Sequence, residues 1–430
     1  MTCKRPLFWI PQNQETGIYP LLRPAIFYSF SFSPNLKWTT FHPPGPEIVK
    51  YLSDVAAKYQ ITDKIQCNTD VEGCRWLEDL KVWEVTLRHM VPGTGDLSKR
   101  DRVDRIEKYG EESVYLKKEV IRARIVVSAV GGLVEPNDWP VKIPGRDKFE
   151  GEIFHSARWR YDVNMKDKNV IVVGTGCSAA QFVPRLTKAP FHAKSVTQLM
   201  RSPPWVVPRP QPPFGQRLWE KYSPTVLSNV PFLGKALRTL VFFTAEYDMR
   251  FFGSSAYSMR ERKRAEQELI RHMEKTVPQK YHEILTPDYG LGCKRRLMDA
   301  SWFPGLNDSN IELTTQPLKS VSAKSVTIGP GQTYPETGPN VATDEREISA
   351  DVIVLANGFV TSKWLHPLKV VGRGGKDLVQ VMDERGGPQA YQGTAMDGFP
   401  NFFMIFGPNT ATGHSSVILA SENMVSAYFH

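Results

Sequence analysis

Residues 170–181 constrain the fold more than any other stretch of the chain. Val170-Ile171-Val172-Val173 is an unbroken apolar run of β-branched residues. It suits a strand buried on both faces of a parallel sheet. Gly174-Thr175-Gly176-Cys177-Ser178-Ala179 follows directly, and Ala180-Gln181-Phe182-Val183 continues as a helix-like run. In such a G-x-G-x-x-A turn, Gly174 permits the tight exit from the strand and Gly176 lets a pyrophosphate approach the backbone. Ala179 is small enough for the helix to pack on the strand. Free N–H groups and the helix dipole then favour negative charge at that end. The pattern predicts a dinucleotide site built from Gly174, Thr175, Gly176, Cys177, Ser178, Ala179 and Gln181. A strand–helix turn without a ligand is the alternative.

The next strand bears on which dinucleotide. Ser195 to Met200 reads as the second strand of the unit, and Arg201-Ser202 stands at its end. An NAD site usually places an acidic residue there for the ribose 2′-hydroxyl. A guanidinium matches a phosphate instead. NADP(H) is therefore expected, with a plain surface arginine as the alternative.

The 430 residues suffice for two or three domains. The net charge of +9 comes from Lys and Arg scattered among Asp and Glu. An anionic cofactor and a solvated basic surface account for it without a nucleic-acid partner. Five cysteines without a C-x-x-C spacing argue against a disulfide framework and against a metal site. With no signal-peptide pattern, a cytoplasmic location is expected. Residues 231–253 are the most apolar stretch but carry Lys235, Arg238, Glu246, Asp248 and Arg250, too many charges for a membrane-crossing helix. Membrane association is not expected, although a surface-lying helix stays open. The oligomeric state is not legible.

Elsewhere, residues 46–59 predict an amphipathic helix, and 81–87, 114–120 and 125–130 predict strands. The charged segment 98–112 reads as an exposed loop. Residues 140–145 read as a domain joint. The six prolines of 203–215 read as a linker rather than an element. Residues 216–282 read as mostly helical, and 311–313, 326–328 and 352–355 return to strands.

Immediately before the dinucleotide turn stands Phe149-x-Gly151-x-x-x-His155-x-x-x-Trp159. This spacing resembles the fingerprint of Baeyer–Villiger monooxygenases, class B flavoprotein monooxygenases related to the flavin-containing N- and S-oxygenating enzymes. Arg160 follows the Trp where the family usually has Pro or Asp. Tyr28-Ser29-Phe30 with Trp38, Pro46-Glu47-Ile48, Lys294-Arg295, Ala356-Asn357-Gly358-Phe359, Gly398-Phe399-Pro400-Asn401 and Gly413-His414-Ser415 are similar to further family segments. His414 and Ser415 carry no hydrolase motif.

The resemblance implies an α/β fold with two Rossmann-like dinucleotide-binding domains, one for FAD and one for NADP, and a helical insertion. It divides the chain into FAD-domain parts at 1–148 and 361–430, NADP-domain parts at 149–210 and 290–360, and the insertion at 211–289. It implies an NADPH- and O2-dependent monooxygenase acting on a small organic substrate through a C4a-peroxyflavin, by ester formation from a ketone or by N or S oxidation. Arg295 would supply the fixed charge beside the flavin, and Lys294 would join Arg201 at the 2′-phosphate. His155 and Trp159, which share a face if helical, would lie at the domain joint. The family's first G-x-G-x-x-G and an acid before Tyr28 are not found in the sequence, so the FAD domain reads as incomplete at both ends. A non-catalytic chain binding NADP(H) only is the rival reading. A plain NADP dehydrogenase would leave Phe149, His155 and Trp159 unexplained.

Overall fold

The computed structural model describes residues 24–299, 301–337, 341–410 and 416–429. At its centre is a parallel five-stranded sheet. From one edge its strands are Ile311–Thr314, Ser195–Leu199, Asn169–Val173, Val352–Leu355 and Glu152–His155. Val170, Ile171, Val172, Ile353 and Val354 are essentially inaccessible to solvent. This is the burial on two faces that the apolar runs predict.

One face of this sheet is covered by the helix Cys177–Leu186, which buries Ala179, Phe182, Val183 and Leu186 in one cluster with Val170, Val172, Trp302 and Phe303. The long helix Ala256–Thr276 joins the same cluster through Met273. The opposite face packs on an antiparallel meander of Leu318–Val321, Ser325–Ile328 and Arg346–Ser349. Ile171, Ile353 and Leu355 meet Val326, Ile328 and Trp139 there.

A second lobe holds the strands Thr69–Leu77, Val82–Met90 and Tyr115–Ala123 in antiparallel order, with Lys369–Val371 parallel at one edge. Trp83 is fully buried there and donates from Nε1 to the carbonyl of Pro400 at 2.8 Å. That bond anchors Phe402–Met404, which pairs in parallel with Val126–Ser128. The chain crosses between the lobes at 135–139 and 356–360, and the two crossings are tied together. Asn137 N donates to the Gly358 carbonyl at 2.9 Å, Val360 N to the Glu135 carbonyl at 2.8 Å, and Asn357 Nδ2 to the Asp138 carbonyl at 3.2 Å.

Three local expectations are corrected. Lys99–Tyr109 is a helix, not a loop: Ser98 and Asp101 form a reciprocal capping box, and Arg100 pairs with Asp104 one turn on. Within the proline-rich 203–215 stretch, Val206–Pro208 is a strand, because Trp205 and Val206 are buried and the strand finds Leu297–Asp299 as partner. His155 and Trp159 do not share a helix: His155 ends a strand, Ser156–Arg158 is a single tight turn, and Trp159 is extended. Cys74, Cys177 and Cys293 are free thiols, whereas Cys67 is disulfide-bonded, which the cysteine spacing does not announce. Gly413, His414 and Ser415 lie outside the described residues.

Candidate functional site

The turn after Asn169–Val173 is held by backbone contacts that only glycine allows. Gly174 has φ +119°, and a Cβ there would sit 2.4 Å from the Ala356 carbonyl oxygen. Its own carbonyl accepts from Gln198 Nε2 at 2.9 Å, while Gln198 Oε1 accepts from Trp302 Nε1 at 2.8 Å. Gln198 is wholly buried, so this relay fixes the turn from below. Gly176 differs: it is exposed, and a Cβ there would meet nothing within 4 Å. Open space therefore lies over the start of the helix, where the orphan N–H groups point. Thr175 and Ala179 are buried, while Ser178 is exposed and Cys177 is half-buried at the first helical position. Gln181 is half-buried, and its Oε1 has no hydrogen-bond partner. The cradle fits a pyrophosphate.

The end of the second strand and the loop at 290–296 meet. Lys294 Nζ donates to Ser202 Oγ at 3.3 Å. The same ammonium lies 4.2 Å from the ring centroid of Tyr289. Tyr289 is itself tied down, its hydroxyl donating to the Pro203 carbonyl and its carbonyl accepting from Trp205 Nε1, both at 2.8 Å. Arg201 is exposed beside Ser202. Two cations with a hydroxyl between them suit a phosphate monoester. Behind Tyr289 and Trp205 lies an open cleft of about 660 Å³, bordered by Lys263, Arg271 and Asp288.

The three basic residues of the 294–296 loop diverge. Lys294 turns to Ser202, and Arg296 pairs with Asp248 at 2.8 Å in a largely buried ion pair. Arg295 stays exposed, with no hydrogen bond or ion pair among the described residues. Its charge is not neutralised by any of them.

His155 stands against the second crossing segment, its ring 5.9 Å from that of Phe359. Its Nδ1 accepts from Ala157 N at 3.0 Å, so the proton of the neutral ring sits on Nε2, which is buried without a hydrogen bond. Burial, then the nearby Arg158 charge, lowers its pKa to about 4. Trp159 points into the sheet–helix core, edge-on to Phe154 and Phe182 at 5.3 and 5.0 Å. It is 4% exposed and buttresses the dinucleotide helix through Phe182.

The described residues do not form a second dinucleotide turn. Val126–Ser128 and Phe402–Met404 form a two-stranded sheet, and among the described residues no glycine-rich turn into a helix leaves it. Ser128 Oγ is buried without a partner, and Val127 is 45% exposed. These residues do not supply a pyrophosphate cradle for a flavin dinucleotide. Among the described residues, no cluster of His, Cys, Asp and Glu is arranged to hold a metal ion.

A parallel sheet with a glycine-rich turn, two tied crossings and a basic corner at the second strand is the arrangement of a dinucleotide-binding domain. Residues 104–228 match the flavin-binding monooxygenase-like family. Over 396 residues the chain is 32% identical to the FAD-binding monooxygenase ktnD of Aspergillus niger, covering 92% of this chain and 58% of the relative. It is 30% identical over 404 residues to a Baeyer–Villiger monooxygenase of Streptomyces coelicolor, covering 94% of this chain and 67% of the relative. A steroid monooxygenase structure bound to NADP superimposes with a TM-score of 0.67 at 24% identity, over 96% of this chain and 76% of that one. The chain belongs to the family of flavin-binding, Baeyer–Villiger-type monooxygenases. It spans about three fifths to two thirds of the length of these two curated relatives.

Proposed function

We propose that this chain forms the NADP(H)-handling part of an FAD- and NADPH-dependent monooxygenase. One oxygen atom of O2 enters a small organic substrate and the other leaves as water. NADPH supplies two electrons as hydride, and a proton comes from solvent. The product is an ester from a ketone, or an N- or S-oxide. The observation that carries this reading is the 3.3 Å contact of Lys294 with Ser202, which joins the family's basic loop to the end of the second strand.

The backbone N–H groups from Gly176 onward bind the pyrophosphate, and Gly174 keeps the turn tight enough for the helix to face it. Arg201, Ser202 and Lys294 hold the 2′-phosphate. A bound flavin would supply the hydride-accepting and O2-activating chemistry. Arg295 holds a permanent positive charge toward the reacting region, and a guanidinium does so without giving up a proton at working pH. His155, neutral above about pH 4, keeps the crossing segments in place without adding charge to the joint.

The test is direct. The chain is purified with added FAD, its visible spectrum recorded, and NADPH oxidation followed in air with an oxygen electrode. A yellow protein consuming NADPH and O2 together supports the reading. A colourless protein that still binds NADPH overturns the oxygenase part and leaves an NADP(H)-binding chain.

A further inference from the structure

The helical insertion carries an apolar surface that is exposed among the described residues. In the helix Pro231–Tyr247, Val241 and Ala245 are buried in one cluster with Ile26 and Phe27, and the buried Gly234 lies against Leu36. At 3.6 residues per turn, Phe232, Ala236, Leu240, Phe243 and Tyr247 fall within a sector of roughly 80° on the opposite side. Phe232 is 74%, Leu240 59%, Phe243 63% and Tyr247 59% exposed. The preceding helix Gln216–Asn229 continues the pattern. Its inner side buries Ser223, while Leu218, Tyr222 and Val226, one turn apart each, are exposed. A helix that is apolar on both its inner and its outer face needs a second apolar medium.

The charges at the edge of this surface select the medium. Arg217, Lys221 and Lys235 are exposed there, and none has an ion pair among the described residues. Lys221 lies over the ring of Tyr222, 5.1 Å from its centroid, and so borders the apolar stripe itself. A second copy of the chain would bring these cations toward their own equivalents across a two-fold axis, between molecules each of net charge +9. An anionic lipid surface satisfies both features: the aromatic and aliphatic side chains enter the acyl boundary while the basic rim reaches the headgroup phosphates. Spanning is not required. No single described helix is long and apolar enough to cross a membrane, and the two helices meet at a bend of 114°.

We infer that the outer face of helices Gln216–Asn229 and Pro231–Tyr247 is a docking surface for an anionic phospholipid bilayer. This inference is independent of the proposed oxygenation. It is tested by flotation of the full chain with vesicles of phosphatidylcholine alone and of phosphatidylcholine with phosphatidylserine, at low ionic strength. Binding to the phosphatidylserine vesicles is expected, with release as salt is raised. Phe232→Ser with Leu240→Ser and Phe243→Ser should abolish it. Because these positions face solvent, retention of the native circular dichroism is the control. Lys221→Glu with Lys235→Glu leaves the apolar stripe intact and should weaken binding by about 25-fold or more, at about fivefold per basic residue lost. Absence of flotation with phosphatidylserine vesicles overturns the inference. So does flotation unchanged in both variants, or a dimer in sedimentation equilibrium that the triple serine variant dissociates while vesicles go unbound.

Discussion

Lys294 reaches Ser202 across 92 residues of sequence, Nζ to Oγ at 3.3 Å, with Tyr289 beneath its ammonium. With Arg201 exposed alongside, the corner offers two cations and a hydroxyl to one ligand group. Charge-assisted hydrogen bonds to a phosphate are worth about 1.5–3 kcal/mol each. Lys294→Ala and Arg201→Ala are therefore each expected to weaken NADPH binding by roughly 10- to 100-fold while leaving NADH binding almost unchanged. Dissociation constants for both cofactors, measured by fluorescence titration, check this. An unchanged NADPH/NADH ratio would contradict the phosphate contact.

The two glycines of the turn should separate stability from binding. Gly174 has φ +119° and the Ala356 carbonyl 2.4 Å from any Cβ, so Gly174→Ala forces a backbone shift in the middle of the central sheet. A loss of roughly 2–4 kcal/mol of stability is expected, the range of strained backbone and core overpacking. At Gly176 a Cβ meets nothing. Gly176→Ala should keep its melting temperature and lose NADPH affinity, because the added methyl group occupies the space the pyrophosphate needs. Thermal denaturation and NADPH titration of the two variants test the contrast.

What the sequence discloses follows the range of each interaction. The Val170–Val173 run and its glycine turn are local and declare themselves. So does the helix after Pro44, which begins at Gly45 with Pro46 in its first turn. Gln198 carries the turn from 24 residues away and looks, in sequence, like one more residue of a strand. Tyr289 and Trp205 are equally silent, because their value lies in the contact with Lys294 and with each other. The basic triplet at 294–296 does not reveal that Arg296 is consumed by Asp248 while Arg295 is left open. At 99–109 charge density masks a helix whose capping box uses Asp101 where Glu or Gln is commoner. The Phe149–Trp159 spacing is visible, but not that one member faces the crossing segments and the other the core.

Arg295 is the residue on which the chemistry can be separated from binding. It is exposed and unpaired, so its removal disturbs no contact among the described residues. In a protein shown to bind FAD, Arg295→Ala should retain NADPH binding and native stability while product formation falls by at least about 100-fold, the scale of losing one preorganised charge at a reacting centre. Arg295→Lys should not restore it fully, since an ammonium sheds its proton more easily than a guanidinium and lacks its planar fork of donors. Retained product formation in Arg295→Ala would refute the role.

His155, which is buried, and His42, which is half-buried, set an acid limit on the fold. Burial, then Arg158, holds His155 at about pKa 4, and burial, then Arg209, holds His42 at about 3, each from an ordinary value of 6.5. In the unfolded chain both titrate near 6.5, so between that pH and the folded values the unfolded state binds more protons. Stability then rises with pH through this window and is lost as pH falls. Above about pH 6.5 neither ring contributes to the slope. His155 alone should cost on the order of 2–3 kcal/mol by pH 4, reduced to the extent that water reaches the joint. His155→Asn removes the titrating ring with little change in volume, so the variant's stability should fall less steeply between pH 6.5 and 4 than that of the parent. The remaining slope should diminish again in the double variant with His42→Asn. Urea denaturation at several pH values across the window reads the difference, and parallel curves for parent and His155→Asn would show that His155 is not held neutral by the fold.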